Sequence, residues 1–290
     1  MTLRDTIDLV ILATVWGASF LFMRIGGPEF GPVVLVELRV AIAVLFLLPI
    51  LLMRAGLGEL TGNWKRLTVL GALNSAVPFL LLTYSTLHIT GGLASILNAT
   101  APLWAALIAW IWLADKLNAS RIVGLVIGFG GVYLLVWDKI SLSLGQATLA
   151  ILAAIIASAF YGFGGNYTKQ YARNIKPLAI ATGSQLAAAI MLLPFAVVMW
   201  PEGSVSPLAW ISVVLMGVFS SGLAYVLYFR LIANAGPTNA ITVTYLVPIF
   251  AMVLGAIFID ERVTLTMLIG CAVILFGTAL ATGMLPRARS

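Results

Sequence analysis

TAPLWAALIAWIWLADK (Thr100–Lys116) and LVPIFAMVLGAIFIDER (Leu246–Arg262) are written in one frame. Pro102 stands thirteen residues before Asp115, and Pro248 stands thirteen before Glu261; Lys116 and Arg262 follow those acids directly. Each stretch is an apolar run with a proline near its start and an acid–base pair at its end. Neither alternates apolar and polar residues as a half-buried strand does, and both are apolar all round.

The same offset governs other punctuating residues. A shift of 146 lays Gly71 on Gly217, Gly124 on Gly270 and Gly131 on Gly277. A shift of 145 lays Trp16-Gly17, Arg24 and Pro32 on Tyr161-Gly162, Lys169 and Pro177. The chain is therefore expected to be one unit written twice, with a first five-helix repeat over 1–140 and a second over 141–290.

Composition places these units in a membrane. The 290 residues are 62% hydrophobic and 9% charged, where a soluble domain carries about 25% charged residues. Long apolar runs predict ten spans, near 7–26, 32–54, 66–88, 92–113, 119–137, 146–168, 177–200, 210–232, 238–259 and 264–283. A transmembrane barrel is excluded because its strands alternate in hydropathy, whereas Ala41–Met53 and Leu103–Leu113 are continuously apolar. The net charge of +6 follows from Lys and Arg gathering on cytoplasmic loops and calls for no nucleic acid. With the N-terminus inside, the inner side holds Arg4, Arg54, Lys65, Arg66, Lys116, Arg121, Lys169, Arg173, Lys176, Arg230, Arg287 and Arg289, against Arg24, Lys139 and Arg262 outside. The expectation is a multi-pass inner (plasma) membrane protein with both termini cytoplasmic. The first span has the basic start of a cleavable leader, but its counterpart in mid-chain marks it as retained. Cys271, the one cysteine, reads as a small buried apolar residue.

Five spans per unit is an odd number, so the second copy must enter the membrane upside down. Inverted repeats around a site near the bilayer middle are a recurrent plan of transporters working by alternating access. The fold class expected is thus an all-α integral membrane protein, ten transmembrane helices as two inverted five-helix repeats around a central cavity. WGASF in span 1, Arg39 within VELRVAIAV, the two proline frames, and DER before a glycine-bearing last span resemble the drug/metabolite transporter (DMT) superfamily, EamA-type exporters above all. The resemblance spans nearly the whole chain. Asp115-Lys116 departs from the Glu-Arg more typical there. It implies that spans 1, 3, 4, 6, 8 and 9 form the cavity and that transport is outward.

Polar residues inside the spans are the candidates for that cavity, since they are expensive in hydrocarbon and face the interior. Asn74, Pro78, Ser85 and His88 form one helical stripe, with Tyr84 beside it; Ser221, Tyr225 and Tyr228 form another. Asn98 and Pro102 continue a stripe in span 4, Thr244, Tyr245 and Pro248 mark span 9, Ser158 and Tyr161 mark span 6, and Trp16 marks span 1. The substrate-binding set is therefore Trp16, Asn74, Tyr84, His88, Asn98, Ser158, Tyr161, Ser221, Tyr225, Tyr228, Thr244 and Tyr245, with hinges at Pro78, Pro102 and Pro248. The competing reading for each hydroxyl is interhelical glue. Gly124, Gly128 and Gly131, echoed by Gly270 and Gly277, predict a close packing surface between halves or protomers.

Charges are few. Glu37 can reach the outer surface by snorkelling and is the sole intramembrane carboxylate candidate for proton coupling, while Arg39 is expected to anchor span 2 against freed carbonyls or a neighbouring helix; His88 is either a proton sensor or relay or a helix-end cap. No acid lies on the cavity stripes, so strong proton antiport and selection for large cations are both disfavoured, and small zwitterionic or uncharged solutes, amino acids among them, are favoured. Multidrug efflux is the alternative transport reading. An intramembrane enzyme would need a nucleophile–base set or metal ligands, and one His with one Cys supplies neither. No cofactor and no metal are expected. The expected partners are a small-molecule substrate and membrane lipids; the oligomeric state is open, a monomer being compatible.

Overall fold

The computed structural model describes residues 2–54, 56–138 and 145–284, so Lys139, Arg287, Ala288 and Arg289 lie outside the described residues. Those described are helical with no strand among them. Eight helices are long and apolar enough to cross a bilayer, and a ninth apolar helix, Val243–Ile259, is slightly shorter. The first of the eight, Leu3–Arg54, has 52 residues, about 78 Å at 1.5 Å per residue against a hydrocarbon layer of about 30 Å. It is two spans. Gly31 breaks it with φ 70° and ψ 161°, a left-handed conformation that only glycine adopts without strain. A side chain at Gly26 would touch Leu35 Cδ1 at 2.8 Å; in a straight helix those residues stand about 13 Å apart along the axis, so the chain doubles back. The spans are α1 (3–30), α2 (32–54), α3 (Trp64–His88), α4 (Gly91–Leu113), α5 (Ala119–Val136), α6 (Gln146–Tyr171), α7 (Pro177–Val198), α8 (Pro207–Ala235), α9 (Val243–Ile259) and α10 (Leu265–Thr282).

Polar contacts sort the helix ends onto two faces. On one, Arg24 at the end of α1 pairs with Glu261 after α9, and Glu261 accepts from Gly91 N at the start of α4. On that face too, Glu29 accepts from Ser206 N and Oγ, at 2.6 Å each. On the other, Asp8 at the start of α1 pairs with Arg230 late in α8, Asp115 after α4 with Lys169 late in α6, and Glu59 with Lys176 before α7. It follows that α1 leaves the second face while α6 arrives there. The two five-helix sets run in opposite senses, as an odd number of spans requires.

The sets are also interlaced. A Cβ at Gly17 would meet Phe250 Cβ at 2.7 Å and Ala251 N at 2.9 Å, and one at Gly162 would meet Ala105 N at 2.6 Å and Trp104 Cβ at 2.8 Å. So α1 lies on α9 as α6 lies on α4. Likewise Gly71 admits α7 and Gly217 admits α2. Gly124 and Gly128 lie directly on Gly277, and Gly131 on Ile274, closing α5 onto α10; the glycine stripe joins the halves. In lipid there is no hydrophobic drive between helices, so dispersion at such close approaches holds the bundle.

Four places depart from α-helix, and all are in α3, α4, α8 or the approach to α9. Ala72–Ala76 and Met216–Leu223 are π-helical. Pro78 explains the first, since its ring has no N–H and collides with the carbonyl four residues back. In α4 the helix stops at Asn98 and resumes at Ala101, with Pro102 in the new first turn. Val243–Ile259 runs with Pro248 inside it, and the chain turns just before it, at Ile241–Thr242.

Gly17→Val should lower the thermal midpoint in detergent, by about 2–3 kcal/mol of stability, because the added carbons meet α9 backbone. Gly130→Ala, where nothing lies within 4 Å, should leave the midpoint unchanged or slightly raised.

Candidate substrate site

The polar residues of the bundle centre come from helices that no short sequence window joins. Arg39 of α2 is 4% exposed; its Nε donates to Ser221 Oγ at 2.7 Å, and its guanidinium carbon lies 3.7 Å from the Phe79 ring centroid. Tyr161 of α6 packs with Val36, Val40 and Phe79 beside it, and Tyr225 of α8 stands one helical turn from Ser221. Gln185 of α7 is wholly buried and donates from Nε2 to Ser75 Oγ at 3.2 Å and to Tyr225 Oη at 3.4 Å. The two π-helical turns deliver Ser75 and Ser221 to this group, a common use of such turns.

A second cluster adjoins it. Trp16 Nε1 donates to Ser220 O at 3.2 Å, Ser220 Oγ donates back to Val15 O at 2.9 Å, and the Trp16 ring lies 5.4 Å from that of Tyr228. Tyr228, Phe229 and Tyr225 are in ring contact, which carries the aromatic surface from α1 to the Arg39 group. Of the sequence-predicted residues, Trp16, Tyr161, Ser221, Tyr225 and Tyr228 are thus brought together.

The others are placed differently. Asn74 lies against Gly164 of α6. Tyr84 and His88 meet edge-to-face at 4.9 Å at the far end of α3. Asn98, beside the break in α4, has a buried Oδ1 without a partner. Ser158 is wholly buried and donates to Leu97 O and Ala154 O, so its hydroxyl joins α6 to α4. Thr244 bonds its own Ile241 carbonyl, and Tyr245 Oη lies 3.3 Å from Thr282 Oγ1, turned toward α10. Sequence reasoning passed over Phe79, Ser75 and Gln185; a glutamine in the middle of an apolar span was the available signal. Glu37 does not snorkel: it is 7% exposed, with Oε2 unpartnered, because its stretch of α2 packs inside the bundle rather than facing the outer surface.

Each face of the bundle carries an ion pair at repeat-related positions. Arg24 corresponds to Lys169 and Glu261 to Asp115 by the offsets of 145 and 146. Arg24–Glu261 is 3.0 Å long with Glu261 7% exposed, and it is braced: Arg24 Nη1 donates to Thr86 O, and Glu261 accepts from Gly91 N and Gly92 N. Lys169–Asp115 is also 3.0 Å long, but its side chains are 63% and 46% exposed. Of the two repeat-related pairs, one is buried and braced and the other is exposed; the second face is also joined by Asp8–Arg230, at 2.7 Å with Asp8 mostly buried.

The EamA-like transporter family matches residues 7–137 and, a second time, 148–283. The chain belongs to this family. A relative in Archaeoglobus fulgidus, an uncharacterised transporter, is 23% identical over 95% of this chain and 97% of its own. The Escherichia coli K12 inner membrane transporter YedA, likewise uncharacterised, is 24% identical over 94% of this chain and 89% of its own. A protein of Streptantibioticus cattleyicolor named "probable terminal-alkyne amino-acid exporter" is 24% identical over 94% and 91%. A solved crystal structure superposes with a TM-score of 0.70, covering 98% of this chain and 99% of its own at 18% identity. The chain is a multi-pass membrane transporter of the EamA type.

Replacing the braced acid should matter more than replacing the exposed one. Glu261→Gln is expected to lower stability in detergent by about 2–3 kcal/mol, because Arg24 loses a partner in a mostly buried setting. Asp115→Asn should change it by less than about 1 kcal/mol, as exposed pairs do. Thermal unfolding monitored by tryptophan fluorescence compares the two.

Proposed function

We propose that this EamA protein exports amino acids or similar small zwitterionic or neutral metabolites across the inner membrane by alternating access, with both termini cytoplasmic. The observation that carries the reading is the unequal pair of repeat-related ion pairs. Two inverted halves offer equivalent closures on opposite faces, and here one is buried and braced while the other is exposed. Opening the first and burying the second exchanges the faces to which the centre is accessible, the motion that inverted repeats provide. The cations Arg54, Lys65, Arg66, Lys116, Lys169, Arg173 and Arg230 share the face of Asp8, which the positive-inside rule puts in the cytoplasm. In this state the braced closure is then extracytoplasmic.

The centre supports the substrate class. Aromatic rings of Trp16, Tyr228 and Tyr225 offer apolar surface, while hydroxyls and the Gln185 amide stand at one end. That is the polarity of an amino acid. The exporter named in Streptantibioticus points the same way.

Counterflow in proteoliposomes tests this. Preloaded unlabelled phenylalanine should drive uptake of labelled phenylalanine, and Trp16→Ala or Tyr228→Ala should each slow exchange about tenfold, equivalent to about 1.4 kcal/mol of lost contact. Unchanged flux in both variants, with normal folding, would defeat the site. Absence of amino-acid exchange together with resistance to ethidium in cells would favour multidrug efflux instead.

A further inference from the structure

Arg39 is a charge in the middle of an apolar span, only 4% exposed, yet no acidic group pairs with it among the described residues. Ser221 and Phe79 orient the guanidinium without neutralising it. Glu37 is two positions away on the same helix, where side chains point to different sides, and its own Oε2 is unpartnered. Ionised groups inside hydrocarbon pair with one another or with backbone carbonyls, and they mark substrate pathways. Among the described residues neither an acid nor a carbonyl accepts from the Arg39 terminal nitrogens.

What surrounds it is arranged for a visitor. Nε is occupied by Ser221, leaving Nη1 and Nη2 without a hydrogen bond to any described residue. Gln185 is linked to the same cluster through Tyr225 and keeps a buried Oε1 with no donor. A cationic fork and an acceptor without a donor are thus both anchored to α8, through Ser221 and Tyr225 one helical turn apart, at the end of the aromatic surface.

We infer that Arg39 is the receptor for a carboxylate on the transported molecule. A planar carboxylate accepts two parallel bonds from Nη1 and Nη2, the geometry in which arginine outperforms lysine, and its negative charge completes the balance that the protein leaves open. Gln185 Oε1 receives a donor carried near that carboxylate, such as an α-ammonium. The inference rests on the proposed transport function for the size and route of the substrate, and it adds the group by which that substrate is held.

Ligand-dependent thermal stabilisation of the full-length protein in detergent tests this, with phenylalanine, phenylpyruvate, phenylalaninamide and phenethylamine as probes. Phenylalanine and phenylpyruvate should raise the midpoint, and the amide and amine should not. Arg39→Gln should weaken phenylalanine binding at least tenfold, and Arg39→Lys should weaken it less, because it keeps the charge but not the fork. Should Arg39→Gln fail to fold, the four-probe comparison on the unaltered protein still decides. Equal binding of phenylalanine and its amide overturns the inference while leaving amino-acid transport standing. Binding of phenylpyruvate without phenylalanine keeps Arg39 as a carboxylate receptor and removes the amino-acid reading. A carboxylate response that Arg39→Gln preserves within twofold, or no response to either carboxylate, overturns the inference.

Discussion

Hydrocarbon supplies no hydrogen-bonding partner, so each backbone N–H and C=O within the bilayer must be satisfied by the protein itself. This constraint explains why the described chain is helix with short joints, and it gives every irregularity a meaning. The π-helical turns at Ala72–Ala76 and Met216–Leu223 and the gap after Asn98 all lie inside spans. Such departures are tolerated where protein or a polar interior takes up the freed groups. Here the wide turns carry Ser75 and Ser221 to the Arg39 cluster, so the irregular backbone and the polar centre are one feature.

Cohesion has a different source. Helices in lipid gain nothing by hiding apolar surface from one another, and contact area at short range must replace it. Glycines provide that approach at repeat-related positions, Gly17 with Gly162 and Gly71 with Gly217, always between one half and the other. Neither half is an independent core. A rearrangement that switches the accessible face therefore moves cross-half contacts, and the ion pairs at the two faces are placed where those contacts end.

Much of the fold was legible because its signals are long and repeated. Apolar runs gave the spans, and the proline frame with its trailing charges gave the duplication. The site was less legible, for identifiable reasons. A stripe drawn through Asn74, Pro78, Ser85 and His88 assumes a constant 3.6-residue period, but the π turn adds a residue and rotates the phase by about 100°; Asn74 lies on Gly164 while His88 is paired with Tyr84 instead. Hydroxyls are ambiguous in any span, and Ser158 is spent on Leu97. For Arg39 the sequence suggests only an anchor, because its neighbours come from other helices and no spacing within α2 reveals whether an acid stands opposite. For Glu37 the same want of neighbours hides its burial.

The turn at Gly31 has a mechanical consequence. With one left-handed residue joining α1 to α2, there is no slack between the helix that bears Trp16 and the helix that bears Arg39. A tilt of the first is transmitted to the second as through a taut leash. The aromatic wall and the guanidinium travel in concert, and a lengthened joint would uncouple them before it disturbed either helix.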